Sequence, residues 1–222
     1  MFTSLFILSI VLMNFFAGKE ITFDSQWIAM DCGILVSWVV FLYLDVVTRN
    51  FGPSAVIKIT IFALVINIFV VLLFWLVAII PGNWAQFYIF NNQDINTAIN
   101  NTLKSNWYII FGSSVAFFVS SVLNALLNQA IGKWFKKYSF AEFICRSYVS
   151  TLISQFIDNM IFALIVSYAF FGWSIMQCLV CSFIGCVIES LVEAVFCPFG
   201  YYLSEKLRNA KKSKTISKAK KE

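Results

Sequence analysis

The chain has 222 residues, of which 60% are hydrophobic and only 12% charged, and its mean hydropathy is +0.83. A soluble domain of that size has no interior large enough to hide so much apolar surface, so composition excludes a soluble globular protein and leaves an all-α polytopic membrane protein. The net charge of +5 does not mark a nucleic-acid-binding face, because Lys206, Arg208, Lys211, Lys212, Lys214, Lys218, Lys220 and Lys221 crowd into residues 206–222.

In chain order, apolar stretches long enough for a hydrocarbon core of about 30 Å fall at 2–18, 27–47, 55–80, 107–131, 148–171 and 173–203, which predicts six transmembrane helices. The first is short and lacks a basic leader, and Gly18-Lys19-Glu20 is a weak cleavage signal, so it reads as a retained helix. Pro81-Gly82 ends the third span. The Asn-rich connection that follows, 81–106, reads as a solvent-side loop with a short helix, and Trp84 and Trp107 as interface anchors. Residues 1–205 then form one six-helix transmembrane domain, and 206–222 a basic tail.

Basic residues set the orientation, since cytoplasmic loops keep the excess of Lys and Arg. With the N-terminus inside, Arg49, Lys58, Lys133, Lys136, Lys137, Arg146 and the eight tail residues are cytoplasmic, and only Lys19 and Lys104 lie outside. Both termini are predicted cytoplasmic, with the tail against anionic headgroups or free in solution.

Polar side chains inside the spans carry the functional signal, because each costs about 2.5–3.5 kcal/mol at mid-helix unless paired or facing a cavity. In the fifth span Ser150, Ser154 and Asp158 recur at i, i+4, i+8, and Thr151, Gln155 and Asn159 form the adjoining row, a continuous polar stripe. The fourth span repeats the device with Ser113, Ser120, Ser121, Asn124 and Asn128. The hydroxyls alone would fit ordinary helix association, whereas Asp158 at mid-depth demands a partner or a ligand. Asp45 and Arg49, four apart, allow an intrahelical ion pair. Glu189 and Glu193, one turn apart, suit proton coupling or plain interior hydrogen bonding. Asn14 in the first span and Asp31 near the outer end of the second complete the set.

The chain contains no histidine, which removes Ser-His chemistry, His-ligated zinc or haem, and HExxH sites, and it has no Walker sequence. Cys178 and Cys181 have CxxC spacing but lie in an apolar run with no second pair, so the six cysteines read as small hydrophobes. No enzyme activity and no cofactor are expected. Asp45 in the second span and Asp158 in the fifth correspond if the chain is two inverted three-helix halves, an arrangement that builds a central site in many transporters.

Asn14 to Lys19 (NFFAGK), Leu44 to Gly52 (LDVVTRNFG), Arg146 to Asp158 (RSYVSTLISQFID) with Phe162, and Glu189 to Pro198 resemble the YhhQ-type VUT family of queuosine precursor transporters, in order across the six spans. The resemblance implies a multi-pass importer in a bacterial inner membrane, carrying 7-deazaguanines such as preQ0, preQ1 or queuine toward tRNA modification. Its motif residues fall on Asp45, Val46, Thr48, Gly52, Arg146, Ser150, Thr151, Gln155 and Asp158, with Arg49 and Asn124 standing where relatives carry acids. A guanine-like edge offers two adjacent N–H donors that one carboxylate accepts, which assigns Asp158 to that edge, Gln155 and Asn159 to the carbonyl and ring nitrogen, and an aromatic ring to stacking. Ser154, Thr151, Asn124 and Asn14 join the expected binding set, and Asp45, Arg49, Arg146, Glu189 and Glu193 the coupling or gating set. The expected partners are the substrate and the bilayer, with a homodimer admissible. The alternative is a six-helix solute-binding subunit of an ATP-driven (ECF-type) uptake system, although residues 4–16 are bulky where a small-residue docking face would lie.

Overall fold

The computed structural model describes residues 2–22 and 27–219. Its elements are α1 (Phe2–Phe16), a hairpin of β1 (Glu20–Thr22) and β2 (Ala29–Asp31), α2 (Ile34–Phe51), α3 (Pro53–Ile79), α4 (Ala85–Phe90), α5 (Gln93–Ser105), α6 (Trp107–Gly132), α7 (Phe140–Phe162), a π-helical turn (Ala163–Tyr168) leading into α8 (Ala169–Phe171), and α9 (Ile175–Ala219). Among the described residues five stretches are long and apolar enough to cross a membrane: Ile34–Phe51, Pro53–Ile79, Gln93–Gly132, Phe140–Phe171 and Ile175–Lys211. The first predicted span, α1, is apolar but has 15 residues, about 22 Å of helix, short of a full crossing.

The second span does not begin at Trp27 as its hydropathy suggests. Residues 20–22 and 29–31 pair as antiparallel strands, with Glu20 opposite Asp31, and α2 starts only after the Asp31 carboxylate has accepted the Gly33 N–H at 2.7 Å. Alternating apolar and small residues in AMDCG serve a strand as well as a helix, and a backbone group turned to protein rather than lipid tolerates the strand. α2 and α3 meet at Gly52, whose φ of 81° suits a residue without Cβ, and Pro53 opens α3 where no N–H is needed.

The Asn-rich connection is more ordered than a loop. Asn92 caps α5 by accepting from the Asp94 N–H, and Asn96 and Asn100 accept from the Trp84 backbone and indole N–H groups at 2.8 and 2.7 Å. Trp84 is therefore tied to α5.

Thr3 meets Tyr43, Asn14 meets Ser113, Arg49 meets Glu142 and Ser204, and Asn128 meets Arg146, so α2, α6 and α9 run toward one end of the bundle while α1, α3 and α7 run away from it. Phe6, Ile10, Val40, Phe41, Leu44 and Phe117 fill the core between α1, α2 and α6, and Trp38 stacks on Phe196 of α9 at 3.9 Å. α3 buries only Val56, Thr60, Ala63 and Asn67 and leaves Phe62, Val65, Ile68, Phe69 and Leu72 more than half exposed, a surface suited to lipid and not to water. The basic tail continues α9 to Ala219; Lys220 and Lys221 lie outside the described residues, and so do the side chains of Lys212, Lys214 and Lys218.

Candidate functional site

The polar stripes of α6 and α7 face each other, as their spacing predicts. Ser120, Ser121, Asn124 and Asn128 of α6, and Ser150, Thr151, Ser154 and Gln155 of α7, are all at most 1% exposed, and α2 and α9 close the remaining sides with Asp45, Glu189, Ser190 and Glu193. The result is a polar column along the bundle axis in three tiers.

At the end where α2 and α6 finish, Glu142 bridges two guanidinium groups, Arg49 at 2.7 Å and Arg146 at 2.8 Å. Arg49 also reaches Glu205 at 3.2 Å and Ser204 at 3.0 Å, and it lies 5.1–5.3 Å from the ring centres of Tyr138, Phe143 and Tyr201. The intrahelical pair with Asp45 does not form: the long guanidinium crosses to α7 and α9 instead. Arg146 donates from two nitrogens to Asn128 Oδ1 at 3.1 and 2.8 Å, and a Cβ on Gly132 would lie 2.6 Å from its Cζ, so only glycine lets this planar group lie against α6.

In the middle tier Asp45 Oδ1 accepts from the Asn124 and Asn128 amides at 2.8 and 3.0 Å, and Oδ2 accepts from Ser147, with Thr151 at 3.2 Å. The same hydroxyls of Ser147 and Thr151 reach Glu193 Oε1 at 3.1 and 3.2 Å. Ser190 donates to Gln155 Oε1 at 2.9 Å, while Gln155 Nε2 and Ser154 Oγ have no hydrogen-bond partner. Asn124 and Thr151, expected beside Asp158, thus serve Asp45.

The outer tier holds Asp158, which accepts from Ser120 at 2.7 Å, and Asn159, which donates to Glu189 at 3.0 Å. Glu189 and Glu193, one turn apart, therefore serve different tiers. Asn159 and Glu189 line a cavity of about 50 Å³ together with Glu20, Asp31, Ser167 and Trp173. The hairpin roofs this cavity, and the Trp27 carbonyl receives the Cys181 thiol of α9. Burial lifts the Asp31 carboxyl to about 6 and, to a smaller degree, the Glu20 carboxyl; facing Glu20 raises Asp31 further, whereas its bond to Gly33 opposes the rise. The π-helical turn lines the opposite wall with Ala163 and Ser167, and Tyr108 donates to the Ile165 carbonyl there. Asn14 lies apart from this wall and accepts from Ser113 at 2.6 Å.

Sequence reasoning missed Glu20, Glu142, Ser147, Ser190 and Trp173. Ser147 extends the Thr151, Gln155, Asn159 row by one further turn and was legible in that row; Glu20 was not, because the short segment that delivers it reads as a connection between the first two spans.

The other large hollows, of about 770 and 810 Å³, are apolar grooves on the outside, one along α3 and α6 and one along α1, α2 and α9, and suit lipid chains. All six cysteines are free thiols, Cys178, Cys181, Cys186 and Cys197 being buried.

No curated protein and no solved structure matches the chain. A family profile described as "Putative vitamin uptake transporter" matches residues 31–203, which takes in every tier of the polar column. The polar column lies within apolar helices long enough to cross a membrane, and the chain belongs to this vitamin uptake transporter family of multi-pass membrane proteins.

Proposed function

We propose that the protein imports a queuosine precursor, a 7-deazaguanine such as preQ0, preQ1 or queuine, across the cytoplasmic membrane. The observation that carries this reading is the outer tier, where Asp31, Asn159 and Glu189 line a hairpin-roofed cavity and Asp158, bonded to Ser120, stands behind its wall next to Asn159 in sequence. Adjacent carboxylate and amide groups match the N–H pair, carbonyl and ring nitrogen of a guanine-like edge, and Trp173 offers a flat ring. Carboxylates at the mouth favour a deazaguanine whose side arm carries a protonated amine over one whose arm is uncharged.

The end bearing Arg49, Arg146 and Lys211 is cytoplasmic by the positive-inside rule, which places Lys19, Lys104 and the hairpin outside. Import then requires two movements. A cavity of about 50 Å³ holds water but not a base, since ligand pockets run to roughly 300–1,000 Å³, so the hairpin must lift to admit substrate. On the other side the Arg49–Glu142–Arg146 cluster forms the inner barrier, and its opening releases the substrate.

The test is uptake of labelled preQ0, preQ1 and queuine by cells unable to make queuosine, with and without this chain, scored as queuosine in tRNA. Restored queuosine is the expected result; no restoration by a correctly inserted chain overturns the substrate assignment.

A further inference from the structure

The middle tier is not part of the roofed cavity, and its hydrogen bonds do not close. Ser147 and Thr151 each own one hydroxyl proton, yet each lies within reach of both Asp45 Oδ2 and Glu193 Oε1. Four contacts share two protons, so whichever carboxylate the hydroxyls serve, the other goes short. Glu193 Oε2 and Asn124 Oδ1 have no donor among the described residues, although these residues are 4% and 0% exposed. The centre has more acceptors than donors, in a buried place where an unmet acceptor is costly.

Among the described residues no positive charge makes up the difference. Arg49 on α2 and Arg146 on α7 are committed to Glu142, Glu205 and Asn128. From α6 only the amides of Asn124 and Asn128 face the pair, and from α9 Cys197 and, one turn outward, Glu189. Further along α7 the next ionisable group is Asp158 in the outer tier. Two carboxylates bridged by the same two hydroxyls, without a counter-ion, do not both stay ionised. The missing donor is a proton: the bridging oxygens already sit at hydrogen-bond distances of 3.1 and 3.2 Å.

We infer that Asp45 and Glu193 hold one proton between them and form an ion-coupling centre separate from the substrate cavity. The inference rests on the transporter reading but not on the substrate. Entry of the proton neutralises one charge and lets α2, α7 and α9 close on one another; its loss toward the Arg49 end sets two like charges face to face and drives α2 and α9 apart. Energy from a proton gradient thus reaches the same helices that carry the inner barrier and Glu189.

Two measurements on the full chain in liposomes decide it. Infrared difference spectra, taken between Glu193→Gln and the unmodified chain at neutral pH, are expected to lose the C=O band of one protonated carboxyl group. Asp45→Asn is expected to lose the same band, because the surviving acid then ionises alone, so failure of one variant to insert leaves the other decisive. Persistence of the band in both overturns the inference. Separately, uptake of labelled preQ1 is expected to accelerate under an inward proton gradient in the unmodified chain, and Glu193→Gln to lose that acceleration while passive exchange persists. Uptake driven by a sodium gradient instead, or still driven by protons in Glu193→Gln, also overturns it. If the unmodified chain takes up no deazaguanine, the substrate assignment fails while the infrared result still decides the shared proton.

Discussion

Replacing Glu142 by Gln keeps its shape and removes its charge, leaving Arg49 and Arg146 facing one another near a neutral amide. Breaking a buried ion pair by removing one partner costs about 3–5 kcal/mol. Here the lower end applies: Arg49 keeps Glu205 at 3.2 Å and three aromatic rings, and Arg146 keeps Asn128. At about 2–4 °C per kcal/mol for a chain of this size, a loss of about 3 kcal/mol lowers the midpoint of unfolding by about 6–12 °C. The four buried thiols provide the assay, since Cys178, Cys181, Cys186 and Cys197 react with a fluorogenic maleimide only when the bundle opens. Lys136→Ala, at an exposed site between α6 and α7, serves as control. A Glu142→Gln midpoint within 2 °C of the control would refute the view that the cluster is a buried charge network. Replacing Arg49, Glu142 and Arg146 together by Met, Leu and Met separates structure from function, because apolar side chains of similar size often preserve stability where an ion triad stood. The triple variant is expected to melt near the unmodified chain and yet to have lost uptake.

Asp158→Asn is expected to abolish uptake with normal insertion, and Ser120→Ala to weaken it less, because only one hydrogen bond of about 0.5–1.5 kcal/mol is lost; retained uptake in Asp158→Asn would remove that residue from the site. Gly185→Ala places a Cβ 3.0 Å from Asn159 Nδ2, so it should disturb the Asn159–Glu189 bond and raise the substrate concentration for half-maximal uptake without lowering the melting midpoint by more than a few degrees. Tyr108→Phe leaves the Ile165 carbonyl in the π-helical turn without its donor and should cost about 1–3 kcal/mol, read as a lower thiol-exposure midpoint. For Asp31, whose carboxyl stands at about 6 against 3.8 for an unburied one, the folded chain binds more protons than the unfolded chain between these values. Stability therefore falls as pH rises through that window, and Asp31→Asn should flatten the slope; an unchanged slope would mean that Asp31 does not control it.

Much of the column could be read from spacing. Hydroxyls, amides and Asp158 at i, i+4 in the fourth and fifth spans can share one face only, and a face so polar must turn inward. Which partner each residue takes was not legible, because it depends on the depth and rotation of one helix against another. Arg49 shows why: at i+4 from Asp45 it satisfies the local rule, yet its reach across the interface to Glu142 and Glu205 wins. Asn124 likewise lies close enough in sequence depth for Asp158 or Asp45, and in the structure its amide donates to Asp45. The hairpin escaped detection for a different reason. Five or six apolar residues carry no period that separates strand from helix, and Glu20, set by the hairpin opposite Asp31, arrives at the cavity from a segment that reads as a connection.

Pro198 lies inside α9, between the turn that carries Glu193 and the turn that carries Ser204 and Glu205. Lacking an N–H, it removes one rung of the helix ladder and presses against the preceding turn. The missing rung lies between two differently held stretches of α9: the one before it carries Glu193 beside Asp45, while the one after it is fastened to Arg49 through Ser204 and Glu205. Under the proposed proton sharing, a change of charge at the first stretch meets this missing rung before it meets the anchorage to Arg49, so Pro198 is where a local movement is either absorbed or passed on to the rest of the wall.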